Sequence, residues 1–184
     1  MQPMAPPYGK EFAAAFAYNK RLAEQAAAQL NDEQLHAALD GQSNSVAVIM
    51  KHVAGNLRSR WTDFLSSDGE KPWRDRDAEF VDSFADRQEL MDCWEAGWSA
   101  VFASLDSLKN SDFDKQITIR GEKLSVPLAI GRSLSHTGYH VGQIVMISRT
   151  LAGDAWQTLT IARGQSQQHN TRSWGEQQYR GEQR

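Results

Sequence analysis

The stretch His136-Thr137-Gly138-Tyr139-His140-Val141-Gly142-Gln143 lies inside a run, residues 128–151, that carries apolar side chains on most sides and few charges. A run of that length headed by Pro127, which suits the first turn of a helix, predicts a long helix, the most buried of the chain. Residues four apart on a helix are separated by about 6 Å along the axis and about 40° around it, so the imidazoles of His136 and His140 can meet at one ion. Ala129, Ser133, Gln143, Ile147 and Leu151 project on the same side, which turns the pair toward the interior rather than toward a charged, solvated face.

Three other segments share the spacing of three and four. Phe12, Phe16, Ala23, Ala26 and Leu30 predict a first helix that ends near Asn31. A second follows Ser43, read as its cap, with Val46, Ile49, Val53, Leu57, Arg60 and Phe64 along one side and Trp61 beside them; Ser66-Ser67-Asp68-Gly69 closes it. Residues 70–85, with Lys71-Pro72-Trp73 and the alternating Arg74-Asp75-Arg76-Asp77, read as a long, tied-down loop. Leu90, Trp94, Trp98, Val101, Leu105 and Leu108 mark a third helix, interrupted at Asn110-Ser111-Asp112. Gln116-Ile117-Thr118-Ile119 and Leu124-Ser125-Val126, β-branched arms around Arg120-Gly121-Glu122-Lys123, predict a small hairpin. The fold class is therefore all-α, a four-helix bundle with a small β-hairpin between helices three and four. Residues 1–162 make the bundle domain. Residues 163–184, rich in Gln, Arg and Gly with Trp174 and Tyr179 as the only large apolar anchors, read as a polar, mobile C-terminal tail.

Composition narrows the function. The chain has 184 residues, 40% hydrophobic and 23% charged, enough to enclose a core as one soluble domain. With 20 Lys+Arg against 23 Asp+Glu the formal net charge is −3, so no overall positive field gathers nucleic acid or anionic lipid, and neither is an expected partner. No stretch approaches the ~20 apolar residues that span a bilayer, and no secretory signal pattern opens the chain, so a cytoplasmic location is expected. The lone cysteine, Cys93, lies in an apolar-periodic segment and reads as a small hydrophobe rather than a nucleophile.

A third imidazole is available at His52 on the second helix, where Ser45, Ile49 and Asn56 share its side. Facing helices can bring it to the pair. Three neutral imidazoles leave a position of a divalent ion open, as in catalytic zinc sites, whereas structural sites are closed by four ligands. The plainer alternative is a group of hydrogen-bonded core histidines. His36 and His169 lie in polar stretches and read as surface residues. Thr137 stands where the glutamate of an HExxH protease would be, which removes that reading. Gln143 and Asn56, one turn beyond His140 and His52, can orient a ligand or make ordinary interhelical hydrogen bonds. Arg58, Arg60, Arg74 and Arg76 offer bidentate grips for carboxylates, although pairing with the interleaved Asp75 and Asp77 explains them more simply. Six tryptophans, among them Trp61, Trp94 and Trp98, read mainly as core.

From about Phe12 to Leu159 the chain resembles the DinB/YfiT-like metalloprotein superfamily. The residues that carry this are His52, His136 and His140, with Lys51-His52-Val53-Ala54-Gly55-Asn56-Leu57-Arg58-Ser59-Arg60-Trp61 and Asp68-Gly69-Glu70-Lys71-Pro72-Trp73-Arg74-Asp75-Arg76-Asp77 similar to one of its subgroups. The resemblance implies a divalent metal on His52, His136 and His140, with zinc or nickel the first candidates and iron also suited. It further implies a homodimer and, because some members resemble thiol S-transferases, a metal-dependent transferase acting with a low-molecular-weight thiol on a small electrophile. The competing expectation is a non-catalytic, stress-associated dimeric bundle in which the ion only stabilises the core. Catalysis requires an open metal position beside a cleft; a structural ion requires a closed shell without one.

Overall fold

Helices form where the apolar periodicity places them. The computed structural model describes residues 8–174, and the chain divides into two compact units, residues 1–153 and 154–184. The first unit contains α1 (Tyr8–Ala27), a short α2 (Asp32–His36), α3 (Val46–Trp61), α4 (Arg87–Ser107), the strands β1 (Gln116–Ile119) and β2 (Glu122–Ser125), and α5 (Val126–Ala152). The four predicted helices are α1, α3, α4 and α5, and the fold is the expected all-α bundle with its hairpin. The second unit contains α6 (Ser166–Trp174), a helix within the stretch read as a mobile tail; Tyr179 lies outside the described residues. Among the described residues no helix is long and apolar enough to cross a membrane.

Local hydrogen bonds correct several predicted boundaries. Asp40 Oδ1 accepts from the backbone N–H groups of Gln42 and Ser43 and from the Ser43 hydroxyl. Ser43 is thereby engaged in a turn, and Ser45 caps α3 instead, its Oγ accepting from the Val48 N–H. The first helix ends at Ala27 rather than near Asn31, because Asn31 forms a reciprocal capping box with Gln34 and starts α2. The most buried helix is α3, with ten of sixteen residues buried, not α5, with nine of twenty-seven. Leu128, Tyr139 and Met146 of α5 are exposed, so the apolar residues that ring that helix exceed what its neighbours cover.

In the bundle α1 packs on α4 and α5, and α3 packs on α4 and α5. Large aromatics fill the centre. Phe16 meets Trp61 edge-on at 5.4 Å, Trp61 stacks on Phe64 at 4.6 Å, and Trp94 meets Trp98 at 5.3 Å; all three tryptophans are buried, as expected. Their polar edges are partly served: Trp61 Nε1 donates to Ser133 Oγ and Trp94 Nε1 to Glu24 Oε1, each at 3.0 Å. The backbones of α3 and α4 approach so closely at Gly97 that a Cβ there would stand 2.7 Å from both Cα and O of Ala54.

The hairpin pairs Ile117 with Leu124 and turns through Arg120 and Gly121, whose φ values of 55° and 76° fit a two-residue reversal with both central residues left-handed. Asp68, in the connection that follows α3, holds this turn. Its carboxylate accepts the Arg120 and Gly121 N–H groups at 2.8 Å and that of Glu70 at 2.7 Å. Those bonds, that of Gly121 foremost, keep the Asp68 carboxyl below the usual range. The Gly69 N–H adds a bond to Thr118 O at 2.8 Å. Ile119 and Arg120 are thus fixed beside α3.

Two glycine substitutions separate close packing from helix propensity. Gly97→Val is expected to cost about 1–3 kcal/mol, as overpacking does. Gly131→Ala, in α5 where an added Cβ meets nothing within 4 Å, is expected to gain about 0.5–1 kcal/mol. Urea unfolding of both variants checks the pair.

Candidate metal centre

Because α3 packs on α5, His52 reaches His136 and His140. One ring nitrogen from each histidine lies within 4.8 Å of the other two. His52 Nε2 and His136 Nε2 are 3.2 Å apart, and a tetrahedral zinc site with Zn–N bonds of about 2.0–2.1 Å separates its nitrogens by about 3.3 Å. The predicted trio is brought together as a group of metal-compatible geometry, whereas His36 pairs with Asp82 at 2.7 Å and His169 is exposed.

The surroundings set which nitrogen each ring offers. Glu79 Oε2 stands 2.9 Å from His52 Nδ1; a carboxylate only accepts, so the proton sits on Nδ1 and the Nε2 lone pair faces the cluster. Gln143 Oε1 does the same for His140 Nδ1 at 2.7 Å, while its own amide donates to the Tyr139 hydroxyl at 3.3 Å. Gln143 is therefore an orienting residue, one of the two roles open to it from sequence. His136 Nδ1 is buried with no hydrogen-bond partner among the described residues. Burial, then the proximity of His140 and His52, lowers the His136 pKa to about 4, and burial also lowers that of His140. Both are neutral near pH 7. Converging lone pairs on neutral rings are what a divalent cation satisfies, so the donor set fits the implied metal.

Glu79 is the functional residue that sequence reasoning missed, and Arg74, read from sequence as a possible carboxylate grip, is its partner. Glu79 is 6% exposed and lies on a 3₁₀ turn, Ala78–Phe80, inside the predicted loop. Arg74 holds it bidentately, Nε to Oε1 at 2.8 Å and Nη2 to Oε2 at 2.9 Å. Burial opposes ionisation of Glu79, but the bonds from Arg74 and then His52 outweigh it and keep the carboxyl below its ordinary range. Gly55 makes the room, since a Cβ there would collide with Glu79 Oε1. Phe80 stacks on the His52 ring at 4.6 Å. The predicted pairing of Arg74 and Arg76 with Asp75 and Asp77 does not form: Arg76 pairs with Glu70, and Asp75 Oδ1 accepts the Ala78 N–H to start the 3₁₀ turn.

A cleft of about 240 Å³ adjoins the histidines, with His52, His136 and Asn56 in its wall. Arg60, Arg74 and Arg76 line it, joined by Arg120 and Arg132. Arg58 does not; it lies over the Trp73 ring at 4.9 Å. Cys93 is partly buried and burial pushes its thiol pKa up, as fits a packing residue rather than a nucleophile.

Among solved structures the chain is similar to a conserved protein from Enterococcus faecalis, with TM-score 0.63 and 18% identity over 82% of this chain and 100% of that one. It is also similar to a DinB-like protein, YjoA, from Bacillus subtilis, with TM-score 0.62 and 14% identity over 80% of this chain and 96% of that one. At such identities the likeness is one of fold, and the fold is DinB-like, as the sequence resemblance implied. No curated protein matches the chain. The profile of one family, described as "Protein of unknown function (DUF1572)", matches residues 3–165, and with most of its length so matched the protein belongs to that family.

Proposed function

We propose that the protein binds one divalent metal ion through His52, His136 and His140 and acts as a metal-dependent transferase with a low-molecular-weight thiol. The observation that carries this reading is the open side of the cluster: two of its three imidazoles form part of the wall of a cleft. A purely structural ion, the competing expectation, calls for a fourth protein ligand, and among the described residues no Cys, Asp or Glu joins the three histidines. An ion bound there supplies Lewis acidity, which favours the thiolate of a thiol brought into the cleft.

The protein's own residues have separable tasks. Glu79, itself held by Arg74, fixes the tautomer and rotation of His52. Gln143 fixes His140. Asn56 offers an amide at the cleft wall to a bound reactant. Zinc and nickel suit the imidazole set, and iron is also compatible.

Metal analysis of protein purified without a histidine tag is expected to find about one divalent ion per chain, lost in His136→Ala and in His52→Ala. Native protein that stays metal-free after reconstitution with zinc and nickel would sink the assignment. Glu79→Gln keeps the shape but removes the charge from His52 Nδ1, and is expected to weaken metal affinity about 10–100-fold in competition with a chelator; unchanged affinity would show that Glu79 serves the loop alone. Metal-loaded wild type should conjugate a small thiol to an electrophile, and the His136→Ala variant should not.

A further inference from the structure

The cleft beside the histidines holds more positive charge than its neighbours cancel. Five guanidinium groups line it, and no Asp or Glu among the described residues does. Three carboxylates form ion pairs with these arginines. Glu70 takes Arg60, Arg76 and Arg120, Glu79 takes Arg74, and Glu122 stands 3.6 Å from Arg132 in an exposed, weak pair. Asp68 and Lys71, both close enough to interact with Arg60, offset each other, so five guanidinium charges against three carboxylates leave an excess of two, on a protein whose formal net charge is −3. Glu70 shows how the cluster treats a carboxylate: the arginines, Arg76 first, hold its carboxyl at about 2. Arg74 is 2% exposed, and with Nε and Nη2 committed to Glu79 its Nη1 is buried without a partner among the described residues. Trp61, Phe64 and Ile119 add apolar wall to the same cleft.

We propose that the cleft binds a small dianionic organic molecule, its oxyanion groups held by Arg74, Arg120 and Arg132 and its apolar body against Trp61, Phe64 and Ile119. Guanidinium forks match carboxylate and phosphate oxygens bidentately, and a local excess of like charge in a confined space favours an anion of the opposite count. A volume of about 240 Å³ admits a small molecule rather than a folded partner. The bound molecule would lie against His52 and His136, so the inference deepens the metal-dependent reading and names a substrate class for it. Its test uses metal-free protein, which lets the two readings fail separately.

Isothermal titration of the full chain after chelator treatment, with phthalate and phenyl phosphate as dianionic probes and benzamide as the neutral one, makes the test. At least one dianion is expected to bind about tenfold or more tightly than benzamide, with affinity falling as salt rises. The Arg120→Gln/Arg132→Gln double variant removes side chains that are 56% and 52% exposed, sparing the core, and is expected to lose about tenfold or more in that affinity. Arg21→Gln, a distant arginine over the Tyr18 ring, should bind as the wild type does. The tighter dianion identifies the oxyanion as carboxylate or phosphate. Equal binding of benzamide and both dianions, or an unchanged double variant, would overturn the proposal. A dianion site that persists in protein unable to take up metal would leave it standing and remove only the metal reading.

Discussion

The buried ion pair between Arg74 and Glu79 is the contact on which most of the site depends. A carboxylate this deeply placed stays ionised only if its charge is met, and Arg74 meets it with two parallel bonds. Removing either partner of such a pair strands a charge at a cost of about 3–5 kcal/mol. The pair closes the long connection between α3 and α4 on itself and so fixes Glu79, whose contact with His52 holds that connection to α3, places Phe80 over His52, and gives the His52 ring a fixed acceptor. One interaction thus sets the loop, the tautomer and part of the cleft wall.

What the sequence made legible was whatever repeats along a helix. Phe16, Trp61, Trp94 and Trp98 fall on three-and-four spacings and lie in the core, and the two histidines four apart share a face for the same reason. His52 was placed with them by its position on a facing helix and by the family resemblance. Glu79 was not legible, because nothing periodic marks a three-residue turn whose geometry comes from Asp75, Gly55 and Arg74 together. Ser43 and Ser45 are equally good caps on paper; the choice was made by Asp40, which had already taken Ser43. The burial ranking of α3 and α5 was misread because composition counts apolar residues without knowing which side a neighbour covers.

The order of packing explains the length of two of the connections, those from α1 to α3 and from α4 to α5. Since α1 and α3 each flank both α4 and α5, the chain passes from α1 to α3, and later from α4 to α5, between helices that are not principal neighbours. Those two crossings contain α2 and the hairpin. The hairpin brings Ile119 and Arg120 to the cleft wall, anchored through backbone N–H groups to Asp68. Anchoring of that kind specifies where the strand turn sits through the backbone alone, so the Arg120 side chain at its corner is free to pair with Glu70.

Arg120 occupies that corner with a φ of 55°. A left-handed backbone disfavours any residue with a Cβ by roughly 1–2 kcal/mol, and Gly, Asn or Asp would sit there more comfortably. Beyond an exposed pair with Glu70, worth little, the fold gains nothing from arginine at this place that a glycine would not also give. The molecule therefore carries a small standing instability at the rim of its cleft, and what it obtains in return is chiefly a positive charge at the entrance.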